Sequence, residues 1–167
     1  MNRRDFIIKW LFYSLATLLF VLIQGFLLNR LPLWGGIHPF LLPMLAVMPS
    51  LMEPRDEGLV FAVVFGFICD LILPASMPVT YLISFLAAAL LGSLISTRMQ
   101  SGLPNALLCC FLSLFLCDLL QYVTAPRHAI PPLTALSIFG RELVLSLPFS
   151  PLIYWLDRKI CLRMLDI

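Results

Sequence analysis

About six apolar stretches, each near twenty residues long, follow one another along this chain with only short polar breaks between them. The hydrocarbon core of a bilayer is about 30 Å thick and takes about twenty helical residues to cross. Charged residues are only 12% of the 167 positions, too few to cover a water-facing surface when 61% are hydrophobic. The pattern predicts an all-α polytopic membrane protein, a single transmembrane domain over 1–167 of about six helices.

The expected spans are 7–28, 37–52, 58–73, 79–95, 103–123 and 133–156. Met1-Asn2-Arg3-Arg4 imitates the start of a secretory signal, but the run behind it is too long and no A-x-A site follows. It reads as an uncleaved first span. The second span is short and carries Pro39, Pro43 and Pro49, which predicts a broken or re-entrant helix. Non-helical backbone at membrane depth is tolerated only where surrounding protein satisfies its freed polar groups. Trp34 reads as an interfacial anchor, as do Tyr154 and Trp155, and Pro148 and Pro151 predict a kink at the end of the last span.

Lys and Arg set the expected orientation. With six spans, Arg3, Arg4, Lys9, Arg55, Arg98, Arg158, Lys159 and Arg163 share one side, against Arg30 and Arg127 on the other. That bias predicts cytoplasmic N- and C-termini. The net charge of +2 does not make a basic patch, so nucleic acid is not an expected partner.

Four ionisable residues fall inside spans: Asp70, Asp118, Arg141 and Glu142. Each costs about 2.5–3.5 kcal/mol at a helix centre on insertion scales, so each is expected to find a partner. Arg141 and Glu142 are adjacent and point about 100° apart on a helix, so Arg141 is expected to face Asp70 or Asp118. Phe67-Ile68-Cys69-Asp70-Leu71-Ile72 and Phe115-Leu116-Cys117-Asp118-Leu119-Leu120 match in character, which suggests two parallel helices carrying an acid at similar height. Three readings stay open: a polar lock that fixes packing, a surface for a partner's transmembrane segment, or a proton or ion path. Gly58, Gly66 and Gly92 mark places where helices can approach closely.

Catalytic motifs such as GxSxG, HExxH, a P-loop or GxGxxG in context do not occur, so no catalytic, metal or cofactor-binding residues are expected and enzyme chemistry is not. His38 and His128 stand near prolines without a carboxylate or cysteine at ligand spacing. Cys69, Cys109, Cys110, Cys117 and Cys161 form no CxxC pair and read as small hydrophobes.

Residues 37–95 carry a family likeness. His38-Pro39-Phe40-Leu41-Leu42-Pro43, a polar break, Glu57-Gly58, and the G-x-x-x-D ending Gly66-Phe67-Ile68-Cys69-Asp70 resemble the MreD family of bacterial rod-shape-determining membrane proteins. The glycine frequent in that family after the acidic span is replaced here by Met77-Pro78. The resemblance implies a bundle like the substrate-binding subunits of energy-coupling-factor transporters. It also implies a non-enzymatic scaffold in the inner membrane that binds MreC and helps link MreB filaments to the RodA–transpeptidase peptidoglycan synthase. Gly66 and Asp70 would be its signature residues; no small-molecule substrate is expected. A vitamin-transporter substrate-binding subunit is the alternative, and a proton-coupled exporter a further one.

Overall fold

The computed structural model describes residues 3–30, 36–73, 78–98, 102–124 and 131–165. Among the described residues the chain is helical and has no strand: α1 (Arg3–Phe26), α2 (Leu42–Met52), α3 (Arg55–Ile72), α4 (Thr80–Arg98), α5 (Leu103–Thr124), α6 (Pro132–Ser146) and α7 (Ser150–Leu165). A single 3-10 turn, Leu147–Phe149, joins α6 to α7. Pro148 lies in that turn and Pro151 in the first turn of α7, where a missing N–H costs the helix nothing. The anchor at Trp34, the turn at 74–77 and the loop bearing Arg127 and His128 lie outside the described residues.

Among the described residues, four segments are long and apolar enough to cross a membrane: Phe6–Arg30, Thr80–Thr97, Leu103–Thr124 and Pro132–Leu162. The sequence suggested about six. α3 has the length, but its 18 residues include Arg55, Asp56, Glu57 and Asp70. α2 has only 11 residues, about 16 Å of helix, or half the hydrocarbon thickness.

α2 nevertheless forms the centre of the molecule. Every residue from Leu42 to Leu51 is buried, and α3, α4, α5 and α7 all pack around it. Lipid solvates the outside of such a bundle, so apolar side chains are free to point outward. Leu11, Leu15, Leu18, Leu22 and Phe26 do so along α1, and Val60, Val64, Phe67, Leu71 and Ile72 along α3.

The non-helical stretch 37–41 leads into α2 at depth, so its amides need partners. Leu41 N–H donates to Gln24 Oε1 of α1 at 3.0 Å, and Phe40 N–H donates to Ser146 Oγ of α6 at 2.8 Å. Side chains from both ends of the sequence thus replace the missing helical hydrogen bonds.

Glycines set how near the helices come. A Cβ at Gly58 would lie 2.5 Å from Ser50 Cα, and one at Gly92 would lie 2.8 Å from Ser50 Oγ. At Gly66 it would lie 2.8 Å from Leu82 Cα, backbone against backbone between α3 and α4. At Gly58 and Gly66 the neighbour is backbone, so no larger residue fits there without moving a helix, whereas at Gly92 it is the side chains of Ser50 and Val47 that would have to shift.

Candidate functional site

Polar side chains gather at two nodes inside this bundle. The first joins α1 to the α2–α3 junction. Lys9 Nζ stands 2.8 Å from Glu53 Oε2 and 2.7 Å from Glu57 Oε2, and Tyr13 OH donates to Glu53 Oε1 at 3.0 Å. The Lys9 and Glu53 side chains are 5% and 6% exposed. Burial at that level is tolerable only because each charge meets an opposite one and the remaining lone pairs find donors. Lys9 Nζ also sits 5.4 Å from the Trp10 ring centre, an added attraction to the π face. Asp157 of α7 is buried and interacts electrostatically with Tyr13, but has no ion-pair partner among the described residues.

Sequence reading missed this node. There Lys9 enters only as a topology charge, and the residues before Gly58 only as a polar break. A signal was present: Lys9, Tyr13, Thr17, Phe20, Gln24 and Leu28 recur at spacings of three and four and are all buried. The polar face of α1 is its inner face, as expected for a helix bathed in lipid.

The second node lies where α3, α4, α5 and α6 meet, toward the opposite end. Asp70 accepts from Tyr81 N–H through Oδ1 and from Leu82 N–H through Oδ2, both at 2.9 Å. These are two of the first N–H groups of α4, which have no partner within the helix. A carboxylate there also meets the positive end of the helix dipole. Gly66 stands one turn before Asp70 and brings α3 against α4 at Leu82. The G-x-x-x-D pattern therefore has a mechanical meaning: the glycine permits the approach and the acid closes it.

The turn entering α4 is strained. Val79 has φ +71°, a left-handed conformation costly for a β-branched residue.

Asp118 of α5 is 4% exposed, and its Oδ2 is buried with no hydrogen-bond partner among the described residues. Its electrostatic neighbour is Glu142 of α6, another acid rather than a base. Tyr81 and Cys117 share this environment, and Gln121 Nε2 lies 3.6 Å from Cys117 Sγ.

Arg141 does not join them. It is exposed and makes no ion pair with any described acid, so the expected pairing with Asp70 or Asp118 is not what the fold contains. The reason is geometric: Ala135, Leu143 and Ser146 define the buried side of α6, and Arg141 lies on the other side. Asp70, Asp118 and Glu142 are drawn toward the interior, whereas Arg141 is left outside. Tyr154 also departs from expectation, being buried in the bundle. Its neighbour Trp155 faces outward, with Lys159 Nζ 4.8 Å over its ring.

Two lateral grooves flank α1. One, of about 430 Å³, lies between α1 and α3, with Ser14, Thr17, Gln24 and Asn29 on one wall and Phe61, Phe65, Ile68 and Ile72 on the other. The second, of about 580 Å³, lies between α1 and α7 and is apolar except for Lys159. Among the described residues no three His, Cys, Asp or Glu side chains converge as metal ligands. His38 Nδ1 lies 3.1 Å from Leu28 O. The five cysteines are free, four of them buried.

No family model, curated protein or solved structure matches this chain.

Proposed function

We propose that this protein is a six-span scaffold of the bacterial inner membrane, with both termini cytoplasmic. In this reading it binds MreC and helps link MreB filaments to the RodA–transpeptidase synthase during cell-wall elongation. One observation carries the reading. The residues on which the MreD resemblance rests are those that hold the centre of the bundle together: the proline-marked α2, Gly58 against Ser50, and Gly66–Asp70 against the start of α4. In this reading α2 with the segment before it, and α3, count as the second and third spans.

Deletion in a rod-shaped host tests it. Loss of the chain should turn rods into spheres, and affinity-tagged protein should retain MreC through detergent purification. Unchanged rods together with no retained MreC would overturn it.

The groove between α1 and α3 favours the second reading, a substrate-binding subunit of a vitamin transporter. Its 430 Å³ falls in the usual range for small-ligand pockets, and Gln24 and Asn29 line it. A thermal-shift screen with vitamins separates the two, because tight stabilisation by one vitamin is expected of a transporter subunit only.

A further inference from the structure

The groove between α1 and α7 has a charged mouth and an apolar floor. Phe12, Leu15, Leu19 and Leu22 of α1 face Leu156 of α7 across about 580 Å³, and Lys159 stands among them as a cation. Two contacts fix the register. Lys9 interacts electrostatically with Cys161, and Tyr13 with Asp157, so α1 and α7 run antiparallel and Phe12 stands level with Lys159. Depth follows from the same end of the bundle. Cys161 Sγ lies 3.9 Å from Met52 O, the last residue of α2 before the break at 53–57, where Arg55 and Asp56 are exposed. That break meets water at the membrane edge. Lys159 stands two residues before Cys161, about 3 Å deeper, and a lysine that snorkels reaches the edge from there. From Phe12 to Leu22 the groove runs about 15 Å inward, the depth of one leaflet.

Lys159 Nζ sits 4.8 Å from the Trp155 ring centre and has no ion-pair partner among the described residues. Asp157 is buried on the inner side of α7 beside Tyr13, and Glu53 and Glu57 are answered by Lys9. An ammonium at the edge, an indole beside it and one leaflet's depth of apolar wall below complement an anionic head on an acyl chain. We propose that this groove binds an anionic phospholipid of the leaflet at which α1 begins and α7 ends, with its phosphate on Lys159 and an acyl chain between the two helices. Charge selects it over a zwitterionic lipid. Depth selects it over a transmembrane helix of another chain, whose contacts would continue past Leu22. Arg158 is exposed too, but it lies 6.0 Å over the Tyr154 ring and does not line the groove. The inference rests on α1 and α7 crossing a bilayer and not on the cellular role proposed above.

The test uses the full-length protein in phosphatidylcholine liposomes. Trp155 is the reporter once Trp10→Phe and Trp34→Phe have removed the other two indoles. Trp10 Nε1 makes no hydrogen bond to a described residue, so that change strands no partner. The probes are phosphatidylglycerol and phosphatidylcholine brominated near the top of the acyl chain, which quench an indole they touch. The ratio between the two is read, so a change in Trp155 emission itself cancels. Phosphatidylglycerol should occupy the site about fivefold more tightly. Lys159→Gln should abolish that preference, and Arg158→Gln, which removes an equal charge outside the groove, should leave most of it. Ala16→Leu, which fills the groove and leaves the charge, should weaken phosphatidylglycerol binding. Equal quenching by the two lipids, or a preference that survives Lys159→Gln, overturns the proposal. So does an equal loss in Arg158→Gln, which would assign the preference to the general surface potential. Quenching by both lipids that falls as protein per lipid rises would assign the groove to a second copy of the chain and overturn it too.

Discussion

At one end of this bundle Lys9 answers Glu53 and Glu57 across two helices, with Tyr13 donating to one of them. At the other, Asp118 and Glu142 face each other with no described cation in ion-pair range, while Arg141 looks away from them. Both nodes are mostly buried, yet among the described residues only the first has its charges answered by opposite ones. The first therefore behaves as a lock. The second is held in place by its surroundings, chiefly the Asp70 cap on α4, and not by its own charges.

Four substitutions sharpen or break this contrast. Lys9→Met should have the largest effect, about 3–5 kcal/mol of lost stability, because it strands two carboxylates beside each other in a buried site. Thermal unfolding in detergent would show it, and adding Glu53→Gln and Glu57→Gln should restore most of the loss. A Lys9→Met protein as stable as the parent would erase the distinction between the nodes.

Asp70→Ala should cost about 2 kcal/mol, since it removes two hydrogen bonds to a charged acceptor at a helix start. Proteolysis in the turn before α4 should rise with it; if α4 stays equally protected, the cap is not what holds the node. Asp118→Asn should be neutral or stabilise by about 1 kcal/mol, because it replaces an acid that lacks a partner with a group that can donate. A marked loss on the same melting assay would mean that Asp118 is answered after all. Val79→Gly should stabilise by less than about 1 kcal/mol, the relief of a left-handed β-branched residue being offset by glycine's chain entropy. A lowered melting temperature would count against strain at that turn.

Hydropathy made the architecture legible and left much of the chemistry hidden. Apolar runs of near twenty residues find helices in any lipid-solvated chain, and the prolines at 39, 43 and 49 found the interrupted second segment. Hydropathy could not say that α2 is enclosed by its neighbours, because a helix buried in protein and one buried in lipid carry the same residues. The four acids and bases inside spans were located, but their pairing was not. Pairing depends on which side of each helix turns inward, and α6 turns Arg141 the other way. Lys9 was readable in principle from its spacing with Tyr13, Thr17 and Gln24, since polar residues on a lipid-bathed helix mark the side that meets protein. Glu53 and Glu57 gave no such sign. Short breaks between spans ordinarily face water, and only the close seating of α1 against the α2–α3 junction takes them out of it.

The amide of Phe40 waits on a hydroxyl from Ser146, which is 106 positions further along the chain. At about 5–20 residues per second of synthesis, that acceptor emerges roughly 5–20 s after its donor. Through that interval the entry to α2 has no finished seat, and half a membrane thickness of helix cannot settle in lipid alone. Translation order thus makes the centre of this molecule the last part to mature. A chain halted before α6 would leave the ribosome with its middle unmade.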